Sequence, residues 1–176
     1  MKIALEKKFI LKLFNELNEE LTTNRIKGEL HLLGGAVMCL QFNARPSTLD
    51  IDAVFAPKTE IRKMAKKIAR NHALHEDWLN DAVKGFLSKN EKYIPFLDLS
   101  HLKVFYATAE YLLAMKCLSM RLGKEFHDES DVRFLLRYLN LRKLDEVTKI
   151  IQKFYPTKDI PQKTFYALEE FLQDDE

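Results

Sequence analysis

The sequence predicts an α+β fold, in which a small mixed β-sheet flanked by helices is followed by a C-terminal helical bundle. Strand-like apolar segments alternate with helical patterns in residues 1–107, whereas residues 108–176 contain helical patterns only. Five glycines and five prolines in 176 residues leave little room for linkers. We therefore expect an α/β core at 1–107, with a helical region at 108–176 packed on it.

The elements of the first region follow from hydrophobic periodicity and turn residues. Apolar residues near a period of 3.6 predict an amphipathic first helix, and short apolar segments bounded by turn residues predict strands. Thr59 is a candidate cap for a helix with one apolar and one basic face. In chain order we predict a helix at 2–21, a strand at 30–33, a helix at 36–42, a strand at 50–55, the helix after Thr59, a short helix at 77–85, and strands at 93–99 and 102–106.

The second region is predicted to be entirely helical. Residues 108–122 are apolar and rich in helix formers, and three later segments repeat apolar residues at helical spacing. These segments are 131–139, 144–154 and 161–172, and Tyr155-Pro156 ends the second of them.

Composition excludes several classes of protein. The hydrophobic fraction of 47% supplies ample core, and a net charge of +2 is too small to predict nucleic-acid binding from bulk charge. Cys39 and Cys117 lie in apolar runs without zinc-ligand spacing, which predicts reduced core thiols. No apolar run approaches the ~18 residues of a membrane span, and the lysine-rich N-terminus does not resemble a signal peptide. We expect a cytoplasmic protein without a membrane partner.

The stretch from Gly34 to Asp52 carries the strongest chemical signal. Alternate residues of a strand share a face, so Asp50 and Asp52 are expected to project together, with Ile51 turned into the core. Two adjacent carboxylates repel each other unless a cation lies between them, which predicts a site for Mg²⁺ or Mn²⁺. Gly34-Gly35, between a strand and a helix, would let a phosphate approach the backbone; a tight strand–helix turn is the alternative. Binding of a nucleoside triphosphate requires both a metal held by carboxylates and a backbone that the phosphates can approach.

Three segments of the chain resemble a known family. LLGGAVMCLQFNARPSTLDIDAVF, EYLLAMKCLSMR and HDESDVRFLL, within residues 28–140, are similar to the minimal nucleotidyltransferases related to the AbiEii abortive-infection toxins, in the polymerase-β-type superfamily. The resemblance implies that Asp50 and Asp52 are catalytic metal ligands. It assigns nucleotide contacts to Gly34, Gly35, Arg45, Ser47 or Thr48, Lys116, Arg121 and Asp131, with Asp128 also matching the pattern.

Enzymes of this superfamily commonly use a third carboxylate on a neighbouring strand, and Asp98 is the candidate here. A turn aspartate is the alternative interpretation, and Asp77 and Asp81 are weaker candidates. Three of the implied nucleotide contacts also have structural alternatives. Lys116 could be a snorkelling lysine, Arg121 could pair with Asp128 or Asp131, and Asp131 could cap a helix.

The resemblance implies transfer of a nucleoside monophosphate from an NTP to an RNA or protein hydroxyl. It also implies a role in a toxin–antitoxin or phage-defence system, with a cognate antitoxin or toxin as partner. The alternative is a catalytically inactive module of the same fold that binds a partner protein or a nucleotide. A missing third carboxylate would favour that alternative.

Overall fold

A computed structural model describes residues 1–174 and confirms the predicted α+β fold, with a mixed sheet, flanking helices and C-terminal helices. The chain divides into two compact units. The first unit contains residues 1–85 and 93–107; the second contains residues 86–92 and the chain from Thr108 onward.

The strands and helices of the first unit alternate along the chain. The strands are β1 (Leu5–Glu6), β2 (Gly28–Leu33), β3 (Ser47–Thr48), β4 (Ile51–Ala56), β5 (Leu79–Asn80), β6 (Tyr93–Asp98) and β7 (Leu102–Ala107). The helices are α1 (Lys7–Thr23), α2 (Gly34–Leu40) and α3 (Lys58–Asn71). A 3-10 turn at Ala82–Phe86 runs from the end of this stretch into residues 86–92.

The main sheet has the strand order β5-β4-β2-β7-β6. Strand β2 runs antiparallel to β4 and parallel to β7, β4 runs parallel to β5, and β6 returns antiparallel to β7. Strands β1 and β3 form a separate antiparallel pair. The central strand β2 therefore leads directly into the glycine pair at the start of α2.

The two faces of the main sheet differ in burial. On the inner face, Leu30, Leu32 and Ile51 are fully buried, and a Cβ placed on Gly28 would touch Leu21 of α1 and Ile61 of α3. We call the opposite side of the sheet the outer face. It carries the alternate residues of β4, β2, β7 and β6 that point away from α1 and α3. Its half-exposed members include Asp52, Val54, His31, Phe105 and Tyr93.

Several element boundaries differ from the sequence prediction for physical reasons. Helix α1 begins at Lys7 because residues 5 and 6 pair with β3, and Leu5 is fully buried there. Thr59 is not a cap, since α3 begins one residue earlier and Pro57 holds the N-cap position. The predicted helix at 77–85 is replaced by β5 and the 3-10 turn.

The second unit is built from α4 (Ala109–Ser119), α5 (Asp128–Tyr138), α6 (Leu144–Phe154) and α7 (Gln162–Asp174). Helix α4 packs against α5 and α6, and the rings of Tyr111 and Phe154 stack with centroids 5.1 Å apart. Residues 86–92 belong to this unit because the Ser88 backbone N–H donates to the Tyr111 hydroxyl at 3.1 Å, and the Ser88 hydroxyl donates to the Phe154 carbonyl. Within residues 1–174, no helix combines the length and apolar character that a membrane crossing requires.

Both cysteines are buried free thiols, as the sequence predicts. Burial raises the pKa of Cys117 to about 12. The nearby Lys116 charge lowers this pKa, but by less than burial raises it. Burial also raises the pKa of Cys39, with Arg45 and Lys7 opposing the shift. Neither thiol is therefore suited to nucleophilic chemistry at neutral pH.

Candidate nucleotide site

The glycine pair and Asp52 meet at the end of the central strand. Leu33 pairs with Asp52 across β2 and β4, so the chain turns at Gly34 directly beside that carboxylate. Gly34 has φ +61°, and a Cβ there would stand 2.7 Å from Asp52 Oδ2. Both constraints favour glycine, because an L-residue is strained at this φ and a side chain would displace the carboxylate.

The second glycine lies against the Arg45–Thr48 loop. A Cβ on Gly35 would stand 2.9 Å from Thr48 Oγ1 and closer still to the Arg45 guanidinium. The structure thus brings Arg45 to the glycine pair. Two hydroxyl residues match the family pattern. The buried Thr48 faces Gly35, and its hydroxyl donates to the Asp50 carbonyl at 3.0 Å. Ser47 instead pairs with Glu6 in the small sheet.

Asp50 lies one residue before β4 and is engaged by the N-terminal segment. Lys2 Nζ is 3.0 Å from Asp50 Oδ2, and the two side chains are 40% and 34% exposed. The β1–β3 pairing brings Lys2 to this position. Pairing between segments so far apart in sequence leaves no periodic signal, so sequence reasoning missed Lys2.

Asp50 and Asp52 fit a metal ion that is bound partly by the protein and partly by the phosphate oxygens of a nucleotide. In residues 1–174, no group of three or more His, Cys, Asp or Glu side chains is arranged to hold a metal. Mg²⁺ in nucleotide sites is usually bound by only one or two carboxylates, with phosphate oxygens and water completing the shell. Asp52, half-exposed beside a glycine turn, suits that arrangement, and Asp50 precedes it on the same loop–strand junction.

The expectation that Asp98 completes a carboxylate cluster with Asp50 and Asp52 is wrong. Asp98 pairs with Lys103, and Lys103 pairs with Glu29 at the start of β2, whereas Asp52 pairs with the last residue of that strand. The Asp98 and Asp52 positions are therefore separated in two directions. Four residues along the strands account for about 13 Å, and the three strand spacings from β6 to β4 account for about 14 Å more at right angles to them. The antiparallel return of β6 carries Asp98 to the opposite end of the sheet.

The strand that does lie beside Asp52 on its other side is β5, where Asn80 occupies the paired position. The Asn80 side chain accepts a hydrogen bond from the Ala82 backbone N–H at 3.0 Å and donates to the Asp77 carbonyl at 3.2 Å. The next residue, Asp81, is bound by two cations, with Lys58 Nζ at 2.5 Å and Arg62 at 3.1 Å. The hydrogen bond from Lys58 lowers the Asp81 pKa against a smaller opposing effect of burial.

The second unit contains a buried ion pair between two residues of the family pattern. Lys116 Nζ of α4 lies 2.7 Å from Asp131 Oδ2 of α5, and these side chains are only 8% and 4% exposed. Lys116 is therefore not a snorkelling lysine. Asp131 is not a cap either, because α5 already begins at Asp128.

Arg121 pairs with Asp128, one of the two partners considered from the sequence. Its Nε and its backbone N–H both donate to Asp128 Oδ2, at 2.9 and 3.0 Å, and its guanidinium lies over the Phe126 ring. Burial disfavours ionisation of Asp128. The two hydrogen bonds from Arg121, together with the charges of Lys116 and Arg121, outweigh burial and hold the pKa of Asp128 below its usual range. Arg121 thereby ties the loop after α4 to the first turn of α5.

A family model described as "Nucleotidyltransferase of unknown function (DUF6036)" matches residues 8–169. The chain belongs to this nucleotidyltransferase family. The matched span includes the glycine pair, both aspartates of the Gly34–Asp52 stretch and the Lys116–Asp131 pair. No curated protein and no solved structure matches the chain.

Proposed function

We propose that this protein transfers a nucleoside monophosphate from an NTP to a hydroxyl acceptor, with Mg²⁺ or Mn²⁺ held by Asp50 and Asp52. The observation that carries the proposal is the Asp52 carboxylate lying against the Gly34 backbone, in a member of a nucleotidyltransferase family. That arrangement puts a hard anionic ligand beside a backbone turn that lacks side chains. A metal–triphosphate complex needs both.

Each residue of the first unit has a role that its position supports. The Arg45 guanidinium lies against Gly35 and supplies positive charge for the outer phosphates. Thr48 fixes the loop that carries Asp50. The metal would supply charge neutralisation on the phosphate oxygens. In the transfer, the acceptor oxygen bonds to the α-phosphorus, the bond from that phosphorus to the bridging oxygen breaks, pyrophosphate leaves, and the hydroxyl proton passes to solvent.

The finer assignments extend this proposal. Ser47, Lys116, Arg121 and Asp131 would complete the nucleotide contacts that the family resemblance implies. An RNA or protein hydroxyl would be the acceptor, within a toxin–antitoxin or phage-defence system that includes a cognate partner protein.

A second candidate is a nucleotide-binding or protein-binding module without turnover. The residue beside Asp52 on β5 is Asn80 rather than a carboxylate. An amide cannot accept the acceptor proton as a carboxylate does. This candidate keeps the metal–nucleotide site and lacks the transfer step.

Titrating purified protein with a fluorescent NTP, with and without Mg²⁺, tests the shared part of both candidates. We expect metal-dependent binding that Asp52→Ala abolishes. The matched control is Asp98→Ala, which removes an aspartate from the opposite end of the same sheet and should leave binding unchanged. Metal-dependent binding that survives in Asp52→Ala would refute the site.

Incubation with α-labelled NTPs and either total RNA or total protein separates enzyme from binder. Label transfer that is absent in Asp52→Ala supports the enzyme. Tight metal-dependent NTP binding without transfer from any of the four nucleotides supports the binding module.

A further inference from the structure

The segment before β1 crosses the loop that carries Asp50. Leu5 is fully buried and pairs with Thr48, and Thr48 in turn faces Gly35. Residues 1–4 continue beyond that pairing without strand structure. In an antiparallel pair, each step back along one strand is matched by a step forward along the other. The register therefore carries residues 1–4, which we call the N-terminal arm, past Asp50 at the edge of the nucleotide site.

Lys2 is the residue of the N-terminal arm that contacts this site. Its ammonium nitrogen lies 3.0 Å from Asp50 Oδ2, and the two side chains are 40% and 34% exposed. An ammonium this close to a carboxylate occupies space that a metal ion on the same oxygen would need. Lys2 and a metal therefore compete for Asp50. Because the pair is exposed, the competition lowers the metal affinity by at most about fivefold, so a metal can take the place of Lys2.

A Lys2 side chain displaced from Asp50 stays beside the glycine pair. Leu5 anchors the N-terminal arm in the core, whereas Ile3 within the arm is 45% exposed, so the arm can change conformation while the β1–β3 pairing holds. A metal ion on Asp50 repels an ammonium group, and the negative charge of a triphosphate attracts it. Lysine binds phosphate as a point charge on a flexible stem, which suits a side chain that has to move.

We propose that Lys2 neutralises Asp50 in the free protein and binds the outer phosphates of the NTP once a metal has replaced it on Asp50. This inference rests on the proposed function, since it adds a phosphate-binding residue to that same site. Lys2 would act together with Arg45, whose guanidinium lies against Gly35. The exchange has a distinctive consequence: removal of the ammonium should help a metal to bind alone and should hinder the binding of an NTP.

Two titrations of Lys2→Gln test the inference. Binding of Mn²⁺ without nucleotide, followed by the electron paramagnetic resonance signal of the free ion, should tighten by up to about fivefold because the competing ammonium is gone. Binding of a fluorescent NTP at saturating Mn²⁺ should weaken by about tenfold because one charge-assisted contact to phosphate is lost. Lys2→Arg keeps the positive charge and should bind the NTP with nearly the wild-type affinity.

The matched control is Lys8→Gln, which removes an exposed lysine from the first turn of α1. It changes the net charge by the same amount and should leave both affinities unchanged. Competition by unlabelled nucleotides then locates the contact. The loss of affinity in Lys2→Gln should be present with an NTP and absent with an NMP, which has no outer phosphates. Circular dichroism confirms that each variant is folded.

The outcomes separate this inference from the proposed function. If Lys2→Gln tightens the binding of both Mn²⁺ and the NTP, Lys2 is only a competitor for Asp50. If it weakens both, Lys2 only positions that carboxylate, and either result would overturn the inference. An Mn²⁺ affinity unchanged by Lys2→Gln, equal NTP affinity in Lys2→Gln and Lys8→Gln, or an equal loss with the NMP would overturn it too.

All of these results leave the proposed function standing, provided that the wild-type protein binds an NTP in a metal-dependent manner. Wild-type protein that binds no NTP in the presence of metal refutes the proposed function itself, and the role of Lys2 with it.

Discussion

Breaking the buried Lys116–Asp131 pair one residue at a time should destabilise the protein far more than removing both charges together. In Lys116→Met or Asp131→Leu, the remaining partner is a charge that is less than a tenth exposed. Removing one member of a buried ion pair costs about 3–5 kcal/mol, because the other member loses that partner without regaining water. Replacing both residues by apolar ones removes two desolvation penalties, so the double variant should lie near the wild type or up to about 4 kcal/mol above it.

Urea unfolding followed by far-ultraviolet circular dichroism measures the four free energies of this cycle. The matched control is the exposed pair Asp145–Lys149, whose side chains are 80% and 75% exposed and whose loss should cost at most about 0.5 kcal/mol. Single variants of the buried pair that cost less than about 1 kcal/mol would refute the reasoning. So would a double variant that is less stable than either single variant.

The same cycle separates a structural from a nucleotide-binding role. A folded double variant that keeps metal-dependent NTP binding would assign the pair to stability alone. A folded double variant that has lost NTP binding would support the contacts that the family resemblance implies for Lys116 and Asp131.

Three further outcomes follow from local geometry. Gly34→Ala should cost about 1–2 kcal/mol of stability because its φ is +61°, and it should weaken NTP binding by displacing Asp52; thermal unfolding and the NTP titration measure both. Cys39 and Cys117 should be unreactive towards Ellman's reagent at pH 8 in the native protein and fully reactive in guanidinium, because both thiols are buried. Since the folded-state pKa of Asp128 is lowered, its contribution to stability is present above about pH 4 and is lost as the pH falls further. Asp128→Asn should therefore show a shallower loss of stability than the wild type below that pH, and a parallel decline would contradict the assignment.

Local periodicity predicted the elements that bury a single continuous face. Helix α6 has the predicted bounds, and β4 alternates buried and half-exposed residues as the sequence indicates. The glycine pair and Asp52 were also predictable, because strand, turn and second strand are close along the chain. Residues brought in by distant pairing were not: Lys2 reaches Asp50 only through the β1–β3 contact.

Asp98 shows why a carboxylate in a predicted strand does not define a site. The apolar segment around it was assigned correctly to a strand, but the end of the sheet that it reaches depends on strand direction. Strand β6 runs antiparallel to β7, so its last residue lies level with the first residues of β2. A parallel β6 would have carried Asp98 towards the glycine pair. The short connection at residues 99–101 makes β6 antiparallel to β7. The sequence contains no local signal that β7 runs parallel to β2, and that pairing decides which end of the sheet Asp98 reaches.

The choice between enzyme and binder does not depend on the Lys2–Asp50 pair. An exposed ion pair contributes about 0–1 kcal/mol, so a metal that displaces Lys2 loses at most about fivefold in affinity. The pair therefore permits metal binding in either candidate. What distinguishes the candidates is the proton acceptor, because the strand neighbour of Asp52 is an asparagine whose side chain is already hydrogen-bonded within its own turn. In the transfer we propose, the acceptor proton therefore passes to solvent, because the strand position beside Asp52 holds no carboxylate. The rate of nucleotide transfer, rather than the affinity for the nucleotide, therefore distinguishes the enzyme from the binding module.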